Sequence, residues 1–170
     1  MAQCSPMAGT ATPATTLLGK QRVAHRIHTY AHDARAESYG SEAVDALAET
    51  VGVAARQILK TLVIKLDTGK LAVAVVPVPD MLSLKAAAAA LGAGRAVMAD
   101  RSEAERSTGY VFGGISPLGQ RKILPTVIDA SAMNWDRVLC SAGRRGVEIE
   151  LAPADLVRLS GAVVAAVTAG

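Results

Sequence analysis

A mixed α/β domain is the fold class this sequence predicts, and three observations predict it. Segments of strand-like alternation are interspersed with segments of helical spacing. Residues 59–66 and 71–76 are apolar runs joined by the turn sequence Asp67-Thr68-Gly69-Lys70, which reads as a β-hairpin. No regular strand-helix-strand repeat runs along the chain, and this argues against a doubly wound parallel sheet. The 170 residues suit one domain, and a hydrophobic content of 51% is ample for a single core.

Each element follows from local signals. Pro6 and small polar residues, with no charged side chain, make positions 1–12 read as a frayed leader ahead of a domain at 13–170. Thr12 and Pro13 mark a helix start, as N-cap and first helical residue, for a short helix over 14–20. Residues 25–30 read as a strand and 31–40 as a polar loop. Ser41 can cap a helix over 42–50, where Val44, Leu47, Ala48 and Val51 share one face and Gly52 ends the run. After the hairpin, Ser83 caps a helix over 84–91 that stops at Gly92, and 96–99 is a short strand. Asp100 and Glu103 have capping-box spacing for a brief helix ending at Gly109. Strands are expected over 126–128, 138–140 and 147–151, a helix from Pro153 to 159, and a last strand within 162–167.

Composition narrows the class further. One Phe, one Trp and three Tyr leave alanine, valine and leucine to fill the core, so small residues must interdigitate closely. The alanine run at 86–90 falls far short of the roughly 20 apolar residues that span a bilayer. With no basic region near the N-terminus to suggest a secretory signal, a cytoplasmic protein without a membrane segment is expected. Cys4 and Cys140 lack metal-type spacing and fit a reducing compartment. The net charge of +3 decides little by itself.

The stretch Gly113-Gly114-Ile115-Ser116-Pro117-Leu118-Gly119-Gln120 is the strongest local signal for chemistry. Glycine admits positive φ and close approach, while Pro117 stops regular structure, so such a loop can present successive amides to an anion or carbonyl. A pair of ordinary surface turns reads the same way. Ser116 lacks the second glycine of a nucleophile elbow, no Walker lysine follows, and no dinucleotide fingerprint is present. His25, His28 and His32 give no helical ligand pair, so no metal site and no cofactor are expected.

Lys60, in phase with Leu62, Ile64 and Leu66, sits on the more apolar side of its strand, where partial desolvation would lower its pKa and strengthen its bonds to an anion or carbonyl. The pattern alone favours the simpler reading, in which Lys60 extends its ammonium to water along an apolar stem. Arg121-Lys122 and Arg144-Arg145 are basic pairs beside turns, suited to phosphate contacts or simply to solvent. Tyr30 and Asp33 fall at a strand end, as pocket residues or as a turn.

Taken in order, His28-Thr29-Tyr30, Lys60-Thr61-Leu62, Ser107-Thr108-Gly109-Tyr110, Gly113 through Gln120 and Gly143-Arg144-Arg145-Gly146 through Ala152-Pro153 resemble the YbaK family. Its members are free-standing deacylases of Cys-tRNA(Pro) and Cys-tRNA(Cys), related to the editing domain of prolyl-tRNA synthetases. The resemblance runs from about residue 14 to the C-terminus. It implies a compact mixed β-sheet or partial barrel flanked by helices. It also implies that Lys60 is the essential lysine and that Gly113, Gly114, Ile115, Ser116 and Pro117 form the Gly-X-X-X-Pro loop. Tyr30 and Ser141 match pocket positions. Glu148 stands where aspartate is common, and Ala142 where relatives have glycine.

The implied activity is removal of cysteine from mischarged Cys-tRNA(Pro). The substrate's own thiol attacks its ester, and backbone amides of residues 113–116 hold the carbonyl. The implied partners are the acceptor end of tRNA(Pro), contacted by Arg121, Lys122, Arg144 and Arg145, and prolyl-tRNA synthetase. Editing of another small residue such as alanine, or a non-catalytic module that binds tRNA or synthetase, are the other readings the sequence leaves open.

Overall fold

The computed structural model describes residues 10–31 and 39–169. Cys4, His32, Asp33 and the first nine positions of the expected leader lie outside the described residues.

The chain opens as the sequence predicts, with helix α1 (Pro13–Lys20). Thr12 accepts from the Thr15 amide at 3.2 Å, and the Thr15 hydroxyl accepts from the Thr12 amide at 2.8 Å, a reciprocal cap. The Thr12 hydroxyl also donates to the Ala142 carbonyl, and Thr10 and Thr12 are both buried. The end of the expected leader is therefore packed into the domain, because its threonines satisfy backbone groups there.

Strand β1 (His25–Thr29) precedes α2 (Tyr39–Thr50). Helix α2 begins before the expected cap, so Ser41 lies in its first turn. The hairpin forms as expected from β2 (Leu59–Leu66) and β3 (Leu71–Pro77), paired antiparallel from Leu59 with Pro77 to Lys65 with Leu71. A two-residue strand β4 (Met81–Leu82) follows, then α3 (Leu84–Ala90), where Ser83 accepts from the Ala86 amide at 3.1 Å. Strand β5 (Ala96–Met98) leads to α4 (Arg101–Thr108), which Gly109 ends.

Asp100 precedes α4 but makes no side-chain capping bond. Glu103 instead pairs with Lys65 on β2, at 3.3 Å, so the expected capping box gives way to a tertiary ion pair. The last part of the chain supplies β6 (Thr126–Asp129), β7 (Val138–Arg144), β8 (Val147–Leu151) and α5 (Pro153–Ser160). The expected final strand forms as β9 (Val163–Ala165), and a further strand that the sequence did not predict, β10 (Thr168–Ala169), lies beyond it and pairs with β4.

Two sheets result. A five-stranded sheet in the order β5-β2-β3-β6-β9 is mixed, with β6 parallel to both β3 and β9. A three-stranded antiparallel sheet runs β1-β8-β7. A bridge between Ile58 and Leu139 joins them at the entry to β2.

Strand β3 shows why the core holds together with so few aromatics. Val73 and Val75 pack with Cys140, Ile149 and Leu151 of the smaller sheet, whereas Ala72, Ala74 and Val76 on the other face pack with Ala87 of α3. Alternation buries both faces, and alanines let α3 approach closely. Each fully buried Val or Leu contributes roughly 1.5 to 3 kcal/mol. Among the described residues no helix is long and apolar enough to cross a membrane.

Candidate active site: a cleft between the two sheets

Strand β8 divides its side chains by alternation. Val147, Ile149 and Leu151 enter the core, and Glu148 and Glu150 point to the other face, yet both carboxylates are buried. Glu150 is flanked by His28, whose Nε2 lies 3.5 Å from Oε1, and by Arg26 at 4.0 Å. Among the described residues Glu148 has no such ion pair. It stands opposite His28 on β1 and Ser141 on β7, and its Oε2 has no hydrogen-bond partner among the described residues. Burial pushes its pKa from the ordinary 4.5 up to about 8.

Glu148 faces a cleft of about 320 Å³. Tyr30, Lys60, Ser141, Arg144, Arg145, Gly113 and Ile115 line the same cleft. The Tyr30 phenol is held above its ordinary pKa, first by burial and then by the nearby charge of Glu148. Lys60 is shifted downward by desolvation, partly offset by the attraction of Asp80. Asp80 itself pairs with Arg56 at 2.7 Å, and among the described residues no carboxylate lies within ion-pair distance of Lys60. Thr61 adds a buried Oγ1 that also lacks a hydrogen-bond partner among the described residues.

The glycine loop reaches the cleft from the end of α4. Tyr110 anchors it by donating its buried hydroxyl to the Leu118 carbonyl at 2.7 Å. Gly113 adopts φ +89°, a conformation that favours glycine. Gly114 donates its amide to the Val111 carbonyl at 2.9 Å, whereas no backbone carbonyl among the described residues accepts from the amides of Gly113, Ile115 or Ser116. A Cβ on Gly114 would sit 3.0 Å from the Arg145 nitrogen, so the absent side chain lets the loop rest on the β7–β8 turn.

The site expected from sequence is thus gathered in part. Tyr30, Lys60, Gly113, Ile115, Ser141, Arg144, Arg145 and Glu148 line the cleft; Gly114, Ser116 and Pro117 do not. For Gly114 the amide expected to hold a carbonyl is already committed to a turn. Ser116 is fully buried, and its hydroxyl accepts from the Leu118 amide at 3.2 Å, a loop-shaping role. The amides of Arg121 and Lys122 bond Thr108 and Ser107 at the end of α4, at 2.9 and 3.1 Å, and neither residue lines the cleft. Thr61, Met98 and Phe112 line it without having been expected as site residues. Among the described residues no three His, Cys, Asp or Glu side chains are grouped to hold a metal.

Residues 40–159 match the sequence profile of the aminoacyl-tRNA editing domain. A curated relative from Enterococcus faecalis, EbsC, named as a candidate Cys-tRNA(Pro)/Cys-tRNA(Cys) deacylase, is 36% identical over 124 residues, covering 73% of this chain and 76% of its own. The fold superposes on a crystal structure described as a candidate trans-editing enzyme for prolyl-tRNA synthetase with a TM-score of 0.81, at 24% identity, over 97% of this chain and 100% of that one. A second crystal structure, of a protein described as hypothetical, gives 0.79 at 25% identity, over 93% and 100%. With a cleft built between two sheets and this match across most of its length, the chain belongs to the aminoacyl-tRNA editing domain family.

Proposed function

We propose that this protein is a trans-editing deacylase that removes cysteine from mischarged Cys-tRNA(Pro), acting in the cytoplasm beside prolyl-tRNA synthetase. One observation carries the reading: a single cleft brings together a desolvated lysine, a loop with uncommitted amides and a buried carboxyl with an unpartnered oxygen. The name of the Enterococcus relative points to the same substrate.

In this reading the aminoacyl ester lies against the loop, and the amides of Gly113 and Ile115 hold its carbonyl oxygen as negative charge develops. The Lys60 ammonium adds positive charge beside the ester. Glu148 accepts the substrate's α-ammonium, which favours the ionised carboxylate that burial otherwise disfavours. Tyr30 and Ser141 complete the pocket around the side chain.

The substrate's thiol, as thiolate, forms a sulfur–carbon bond to its own carbonyl. The carbon–oxygen bond to the ribose breaks, the ribose hydroxyl takes up a proton, and a cyclic thioester leaves. No protein nucleophile is consumed, which suits a site whose only loop hydroxyl, Ser116, is buried.

The test is a deacylation panel of Cys-tRNA(Pro), Ala-tRNA(Pro) and Pro-tRNA(Pro) with wild type and Lys60→Ala. The expected result is rapid loss of the cysteinyl ester alone, abolished by the substitution. Persistence of Cys-tRNA(Pro) with wild type, or full activity in the variant, contradicts the proposal.

A further inference from the structure

Phe112, the only phenylalanine in the chain, is 45% exposed although it lies beside a cleft in a protein poor in aromatics. An exposed ring is ordinarily left mobile. This one is held from three directions. Its amide donates to Glu105 Oε2 at 2.9 Å. Its carbonyl accepts from Arg145, through Nη2 at 2.7 Å and Nε at 3.3 Å. The Arg101 guanidinium lies over the ring, 5.3 Å from its centroid, and is itself positioned by Glu105 at 3.8 Å. Side chains from α4 and from the β7–β8 turn thus fix the backbone and one face of a phenyl group that contributes little to the core.

We propose that Phe112, backed by Arg101, is a stacking platform for the unpaired nucleobase of the substrate's 3′-terminal nucleoside. This rests on the editing reading of the cleft and adds the group that grips the nucleic acid. Connectivity selects the occupant. Gly113, the next residue, is the start of the loop that holds the ester, and consecutive Cα atoms are about 3.8 Å apart. The ester and the terminal base hang from the same ribose, so a carbonyl on the loop brings that base to the adjacent ring. Phe112 and Met98, itself 50% exposed, both line the cleft and offer apolar surface there.

Charge agrees with an anionic backbone. Arg101 lies over the ring, and Arg144 and Arg145 line the same cleft as Phe112. Stacking reads the flat face that every base shares, so the platform adds affinity without demanding a particular tRNA body. A preformed ring also loses less freedom on binding than a mobile one.

The experiment is fluorescence titration of an uncharged RNA microhelix ending in CC followed by 2-aminopurine, read with wild type, Phe112→Ala, Phe112→Tyr and Arg101→Ala. Stacking predicts quenching of the terminal base by wild type and Phe112→Tyr. Phe112→Ala should lose the quench and bind about tenfold more weakly, the size of one base–aromatic stack. Arg101→Ala should retain part of both effects. A microhelix with an abasic 3′ terminus should bind wild type with the same loss, and Phe112→Ala should cost nothing further on it.

Equal quenching and affinity for wild type and Phe112→Ala, or equal affinity for intact and abasic ends, overturns the proposal. So does the absence of wild-type binding, or a Phe112→Ala effect confined to oligomeric state. Because the RNA carries no amino acid, a protein that binds in this way yet deacylates nothing would overturn the editing reading while leaving the platform in place.

Discussion

Lys60 and Glu148 respond to the same desolvation in opposite directions. Burial draws the lysine towards losing its proton and the carboxyl towards keeping one, so both are more readily neutral in the cleft than in water. A substrate that brings an ammonium for Glu148 and developing negative charge for Lys60 restores the charged form of each. Replacing Lys60 by alanine is expected to lower kcat/KM by about 100-fold or more, the cost of one charge-stabilising donor, measured under single-turnover conditions.

Glu148 also makes a stability prediction whose sign is fixed. Its folded pKa, about 8, lies above the ordinary 4.5. The native state therefore holds a proton that the unfolded chain releases, and the associated stability is full below the lower value and lost as pH rises through the upper one. Glu148→Gln cannot ionise. Its melting temperature relative to wild type should rise from acid to alkaline buffer across that range, and a difference independent of pH would contradict the assignment.

The elements show what local sequence can and cannot carry. The β2–β3 hairpin was legible because its turn residues and its two alternating runs are contiguous, and α1 was legible because Thr12 and Pro13 define a start by themselves. Asp100 and Glu103 have equally good local spacing, but Lys65, distant in sequence and near in space, takes Glu103 away from the cap. Pairing of β1 with β8 joins residues more than a hundred positions apart and leaves no local trace. The same limit applies to the site. Only family resemblance linked Lys60 to the glycine loop, and Thr61 and Phe112 carried no pattern of their own, apart from Phe112 being the sole phenylalanine beside that loop.

The loop and the β7–β8 turn act as one element, because Gly114 allows backbone contact between them. Gly114→Ala puts a methyl group 3.0 Å from the Arg145 nitrogen, so one of the two segments must shift by a few tenths of an ångström. The expected outcome is a loss of about 1 to 3 kcal/mol in stability, read by denaturant titration, together with a lower kcat. Unchanged rate and stability would show that the two segments are not mechanically joined.

At the scale of the whole molecule, the cleft draws its lining from both of the sheets joined at the Ile58–Leu139 bridge, one carrying Lys60 and the other Ser141 and Glu148. The glycine loop, following α4, adds Gly113 and Ile115 to the lining. A small pocket separates amino acids that differ by one methylene only by about 1 to 3 kcal/mol, too little to spare correctly charged tRNA by fit alone. In the proposed mechanism, dependence on a substrate thiol would supply the discrimination chemically, since proline has none.

The most direct test compares single-turnover decay of Cys-tRNA(Pro) with that of Ser-tRNA(Pro), in which a hydroxyl replaces the thiol and little else changes. The account predicts rapid loss of the cysteinyl ester while the seryl ester decays at its uncatalysed rate. Equal enzyme-dependent decay of both, or no enzyme-dependent decay of Cys-tRNA(Pro), would contradict it.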